Sequence, residues 1–387
     1  MSFIPFLRRH VPVKTIRSMA GRRAAPQVAP VAPVAPVAPV ARFARATLVA
    51  ALAAVALLVP ASTARAQGAL IVLNKGDARA SIVDLASGKI VKTYPTGEGP
   101  HEVAVSPDGR TAVVGNYGGQ APGNSLTVLD LAGRAAPRTI SLGEYRRPHG
   151  IVWLKDGRRV LVTVEMSRAL LVVDAMAGAV ERAIATDQQG THMVALAPDE
   201  SMAYTANIGS GSVSRIDLAA GKAVQVKVTG KGPEAIDVSP DGREVWAADR
   251  TLDYITIMRA GTLDSLGSAP TRRFPNRLKF TPDGRRVLVS NAAAGAITVY
   301  DAATRALIKA IEIPFDPSRK KAEVVLGDMG NSAVPLGILV EPNGQRAWVA
   351  TAALGEVVEL DLATLSVRRT IDAGNNPDGM AFIARLP

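Results

Sequence analysis

The chain has 387 residues and no cysteine, which excludes disulfides, thiolate metal sites and covalent c-type haem. Aromatic residues make up only 4%, so aliphatic side chains must fill most of any core. Three chemical signatures are also missing: the Gly-x-Ser-x-Gly elbow, the Gly-x4-Gly-Lys-Ser/Thr phosphate loop and the His-Glu-x-x-His zinc motif. Acidic residues are absent from the first 66 positions, which carry nine basic ones. Most of the formal charge of +11 therefore sits in this leader, and the remaining chain is close to neutral. That balance argues against a nucleic-acid partner.

The leader reads as an export signal. An apolar run of 13 residues, Thr47 to Val59, follows Arg42 and Arg45; Pro60 ends it, and Ala64-Arg65-Ala66 forms a cleavage site. The run is short for a membrane span, which needs about 20 residues. The expected organisation is an N-terminal extension over 1–43 and a signal peptide over 44–66, followed by one folded domain over 67–387. The extension, with its Ala-Pro-Val repeat, is expected to be disordered. Periplasmic or secreted localisation follows, with no membrane span after cleavage.

One landmark recurs along the domain: Ser106-Pro107-Asp108-Gly109, Leu154-Lys155-Asp156-Gly157, Ala197-Pro198-Asp199-Glu200, Ser239-Pro240-Asp241-Gly242, Thr281-Pro282-Asp283-Gly284 and Glu341-Pro342-Asn343-Gly344. The spacings are 48, 43, 42, 42 and 60 residues. Proline presets the turn, Asp bonds locally and Gly accepts positive φ, so each is a tight hairpin turn. β-rich runs flank it, a third run ends in Asp, and a fourth follows. Four short antiparallel strands per ~42 residues is the period of a propeller blade. Six landmarks give six blades. Residues 70–74, 81–85 and 89–94 match the second to fourth strands of another, and Asn376 to Ile383 match its first. The prediction is an all-β, seven-bladed β-propeller closed by pairing its terminal strands. The blade of the fourth landmark departs from the pattern with Arg259 where other third strands end in Asp.

The second strands Ala112-Val-Val-Gly-Asn116, Ala203-Tyr-Thr-Ala-Asn207 and Val287-Leu-Val-Ser-Asn291, with the opening Gly99-Pro100-His101-Glu102-Val103, resemble the YVTN-repeat β-propellers of bacterial periplasmic and archaeal surface-layer proteins. The resemblance implies the fold; such propellers serve many functions.

Antiparallel order brings the blade openings and the second-strand ends to one mouth of the central channel. Aligning the openings places His101, His149, His192, Glu234, Asn276, Leu336 and Asp378 at one register, expected to ring that mouth. Behind them stand Asn116, Glu165, Asn207, Asp249, Asn291, Thr351 and Asn74. Three readings of the ring stay open. Three imidazoles and a carboxylate suit a divalent transition metal, Zn or Cu, on His101, His149 and His192. A metal-free polar pocket is the second. The third is structural: copies of one ancestral Pro-His that cap strands. Two longer loops, Tyr117 to Asn124 and Pro314 to Val334 with Arg319-Lys320-Lys321, fall on the same face. Arg146-Arg147, Lys231 and Arg272-Arg273 form a candidate cationic rim.

The functional expectation is a binding or scaffold propeller that holds a small ligand, metal ion or partner protein at this mouth. Some similar propellers are lactonases, which implies an alternative: metal-assisted hydrolysis with Glu234 or Glu165 as general base. An accessory protein of a periplasmic redox system is a third. No segment marks an oligomer interface, so a monomer is expected.

Overall fold

The computed structural model describes residues 68–321 and 329–384. The extension and the signal peptide lie outside these residues. Among them no helix is long and apolar enough to cross a membrane. The chain forms seven four-stranded antiparallel sheets. Blade 1 joins the two ends of the domain: the C-terminal strand Pro377–Ile383 pairs with Ala69–Asn74, followed outward by Arg79–Asp84 and Lys89–Pro95. Blades 2 to 7 open with the inner strands Pro100–Val105, Pro148–Trp153, Thr191–Leu196, Pro233–Val238, Pro275–Phe280 and Pro335–Val340. The predicted fold and its terminal closure are both present.

Each blade buries aliphatic side chains against the next, as low aromatic content requires. One cluster joins Ile71 and Leu73 of blade 1 to Val114 and Leu129 of blade 2. Another joins Leu288 and Val299 of blade 6 to Val349 and Val358 of blade 7. Trp153, Trp246 and Trp348 are core residues, as their strand positions suggest; Trp246 and Trp348 are fully enclosed. Polar gaps in the repeat are closed locally. The Asp that ends a third strand accepts N–H bonds from the turn beyond it, as Asp361 does from Ala363 and Thr364.

One irregularity recurs in all seven blades. The ladder between the inner and second strands slips at the second residue of the inner strand. Pro233 pairs with Asp249, for example, and Ala235 with Ala248, so Glu234 has no partner across the ladder. The same slip falls at His101, His149, His192, Asn276, Leu336 and Asp378. A β-bulge of this kind re-aims the unpaired residue. Here it turns one side chain per blade toward the axis. The backbones then crowd so closely that a Cβ on Gly379 would lie 2.2 Å from the carbonyl oxygen of His101. Only glycine fits there.

Removing Pro377–Ile383 should leave the strand Ala69–Asn74 as an open apolar edge. The expected outcome is loss of a single cooperative thermal transition and self-association on size-exclusion chromatography. A truncated chain that melts as the full one does would contradict the closure.

Candidate functional site at the channel mouth

The bulged residues converge as expected, and all but His101 are buried. The ring centroids of His101 and His149 lie 5.1 Å apart, and those of His149 and His192 lie 3.8 Å apart. The second group of residues needs correction. The ladder partner at the end of the blade 3 second strand is Val164, so Glu165 stands one residue beyond Asn116, Asn207 and Asp249. That single step reverses its direction. Asn116, Asn207 and Asp249 turn into their own blades: Asn116 accepts from Gly97 N, Asn207 donates to Ser212 and Ser214, and Asp249 accepts from Lys231 N and Gly232 N. They brace the links between blades and do not line the mouth. The residues one step further do: Lys75, Tyr117, Glu165 and Arg250.

A continuous polar chain results. Tyr117 Oη donates to Glu165 Oε2 at 2.7 Å. His192 donates from Nδ1 to Glu165 and from Nε2 to Glu234 Oε1, the latter at 3.1 Å. Glu234 also accepts from Asn276 Nδ2 at 3.0 Å and from Arg250 Nη1 at 2.7 Å. Arg277, next to Asn276, crosses the channel to Glu102 of blade 2, with Nε to Oε1 at 2.9 Å. Lys75 pairs with Asp378 at 2.8 Å. Arg277, Glu102, Tyr117, Arg250 and Lys75 were not marked by the sequence register. Only the bulge, and in one case a contact across the axis, places them here.

These contacts set the protonation states. Burial opposes a charge on His192, but Glu234 and Glu165 outweigh it and raise the pKa to about 9. Burial likewise disfavours ionised Glu234, yet His192, Arg250 and Arg277 hold it well below the usual carboxylate range. Glu165 is also lowered: His192 and the Tyr117 hydroxyl overcome its burial. Both carboxylates are ionised and already accept from His192, so either would act as a weak general base and only by giving up one of those hydrogen bonds. His101 is pushed down to about 4, chiefly by burial and then by Lys75. His149 is pushed well below its ordinary value by burial and by the two flanking histidines. His101 Nδ1 donates to Gly99 O at 2.8 Å, leaving Nε2 as an acceptor.

The expected metal trio is not assembled. The group that brings ligand atoms within 4.8 Å of one another is His149, Glu165 and His192, without His101. Both nitrogens of His192 already face carboxylates, so an ion there would first have to displace a proton and a hydrogen bond.

The rim is less cationic than its sequence suggests. Arg147 turns inward, stacks 4.5 Å from the Tyr117 ring and donates to Gly119 O. Arg272 pairs with Glu312, Arg319 with Glu356 and Lys321 with Asp372. The loop after Tyr117 continues the blade 2 hairpin to Gly118 opposite Pro122. Opposite the histidines the mouth is apolar, where Leu336 packs with Ala292, Ala352 and Met329.

The fold and this axial site define a seven-bladed β-propeller with a polar channel mouth. A family model described as lactonase, 7-bladed beta-propeller, matches residues 220–311, the stretch that contains Glu234, Arg250, Asn276 and Arg277. The YVTN resemblance rests on the strand motifs alone. No curated protein matches the chain. Among solved structures, hydrazine synthase of Kuenenia stuttgartiensis is similar at TM-score 0.60 and 17% identity, over 73% of this chain and 88% of that one. A functionally unknown protein from Desulfotomaculum acetoxidans is similar at TM-score 0.64 and 13% identity, over 82% and 98%. At these identities the likeness is one of fold.

Stability should peak near about pH 6.5. The raised pKa of His192 gives a contribution that is complete below the ordinary value of 6.5 and lost as pH rises through about 9. The lowered values of His101 and His149 give contributions present above 6.5 and lost as pH falls toward 4 and below. Chemical denaturation across pH 4–10 checks this, and His192→Gln should flatten the alkaline limb.

Proposed function

We propose that this protein is an exported binding propeller that holds a small polar ligand at the channel mouth. One observation carries the reading. In a ring whose other charges are paired, His149 Nδ1 and Asp378 Oδ1 are buried without hydrogen-bond partners. Leaving such atoms unmet costs about 1–3 kcal/mol each, and functional sites are where that cost is tolerated. The two residues flank His101, whose Nε2 is an acceptor. Three neighbouring blades thus present acceptors to a ligand rich in hydroxyl or amine donors, while the Leu336 side suits an apolar portion. The fixed network behind them keeps the ring rigid, which lowers the entropic cost of binding.

A second reading, a lactonase-type hydrolase, is favoured by the family match over 220–311. In that reading the unpartnered Nδ1 of His149 would accept the proton of an attacking water.

Calorimetry with a panel of lactones and their open hydroxy acids tests both. The expected outcome is saturable binding that His149→Ala and Asp378→Asn each weaken about tenfold, measured at a temperature where both variants remain folded. Binding unaffected by either variant would overturn the site. Turnover of a lactone, lost in His149→Gln, would establish the hydrolase instead.

A further inference from the structure

On the face opposite the histidines, blades 4 and 5 flank a cleft of about 290 Å³. Tyr204 and Arg215 stand opposite each other on the second and third strands of blade 4, and both line it. Met202 and Pro198 form an apolar wall, and the turn Ala260-Gly261 of blade 5 closes the far side. The Tyr204 hydroxyl donates to Ala260 O at 2.9 Å and so bridges the two blades.

Two departures from the repeat bear on this cleft, one in its lining and one just before the turn that closes it. The first is Arg215. Its register holds an apolar residue in five blades: Ile82, Val128, Val172, Ile257 and Val299. In blade 7 it holds Glu359, which Arg346, Arg368 and Arg369 neutralise. Arg215 lies beside the Tyr204 hydroxyl, but it has no ion-pair partner among the described residues, and its Nε is buried without a hydrogen bond. A buried guanidinium N–H left this way costs about 1–3 kcal/mol until an acceptor meets it, and an anion meets it best.

The second departure is Arg259. In the other six blades the third strand ends in Asp, whose carboxylate accepts the N–H groups two or three residues further on. Asp84 accepts from Ala86 and Ser87, and Asp174 from Met176 and Ala177. Blade 5 has Arg259 instead, with an exposed side chain, and the Gly261 N–H two residues on has no partner among the described residues. A cation without a counter-ion and a turn without its carboxylate line one cavity.

We propose that this cleft binds the carboxylate of a small organic acid. The head group takes the place that Asp occupies in the other blades, on Arg215 and the Gly261 N–H, and the apolar body lies against Met202 and Pro198. A carboxylate matches the planar fork of a guanidinium. Asp199 and Asp241 at the rim do not compete for Arg215. Asp199 accepts from Ser201 N and Oγ, and Asp241 from Ser239 Oγ and Arg243 N, each within its own turn. This site stands apart from the channel mouth and from the ligand proposed there.

Calorimetry with 4-methylpentanoate on the folded protein tests it. The acid should bind saturably at one site, and 4-methylpentan-1-ol should not. Arg215→Met restores the apolar residue type of five other blades, so it should fold, and it should weaken binding at least about tenfold. Arg259→Asp leaves Arg215 in place and supplies the missing carboxylate; it should compete with the ligand and also weaken binding. His149→Ala, on the opposite face, should leave the affinity unchanged. Several results would overturn the assignment: no saturable heat in the native protein, equal binding of the alcohol or of inorganic sulfate, undiminished binding by Arg215→Met or Arg259→Asp, or loss of binding in His149→Ala.

Discussion

Charge can be buried at the axis of this propeller only where each charge meets its opposite, and that requirement organises the mouth. Eight charged side chains gather there: Lys75, Glu102, Glu165, His192, Glu234, Arg250, Arg277 and Asp378. They pair within blades (Lys75 with Asp378, Arg250 with Glu234), between neighbouring blades through His192 and, through Arg277 and Glu102, across the channel itself. Removing one member of a buried pair typically costs about 3–5 kcal/mol, because the other is left uncompensated. The network therefore acts as a polar clasp at the centre of an otherwise aliphatic ring. Within it the imidazolium of His192 links blades 3, 4 and 5 through Glu165 and Glu234.

The bulge at the head of every inner strand is what makes this clasp geometrically available. A regular ladder would alternate side chains between the two faces of each blade. The slip instead frees one residue per blade to face the axis, and the residue after each second strand rises beside it. Histidines on three consecutive blades then have different fates. His192 is held between two carboxylates and charged, whereas burial, helped by Lys75 beside His101 and by His192 beside His149, keeps the other two neutral. Identical residue type and register do not imply identical chemistry; the flanking blades decide it.

Much of the fold was legible in the sequence. The Pro-Asp-Gly turns mark the hairpins, the ~42-residue spacing marks the blades, and the Asn376–Ile383 segment matches the missing strand of blade 1. The ring from His101 to Asp378 was legible for the same reason, since aligned openings share one register. Local spacing says nothing about a bulge, however, and here it misled. Counting along the second strands put Glu165 level with Asn116 and Asn207, whereas the ladder puts Val164 there. The pairing of Arg277 with Glu102 joins residues 175 positions apart and leaves no local trace. The metal trio failed for a related reason. The carboxylates that claim both nitrogens of His192 come from blades 3 and 5, and their approach depends on the bulges.

The departures at Arg215 and Arg259 belong to a second pattern. Each breaks the repeat without a compensating partner among the described residues; Arg215 lines the cleft, and the turn that follows Arg259 closes it. Repeats make such exceptions visible, because five copies of the rule stand beside Arg215 and six beside Arg259. The two faces of the propeller thus carry different chemistry: a neutralised clasp with orphaned acceptors on one, an unpaired cation on the other.

The most direct test of the clasp is a double-mutant cycle on unfolding free energy, combining His192→Gln with Glu234→Gln at about pH 6.5. A buried imidazolium–carboxylate pair predicts a coupling of at least about 1.5 kcal/mol. Strict additivity of the two substitutions would show that His192 is not charged against Glu234, and would contradict the account.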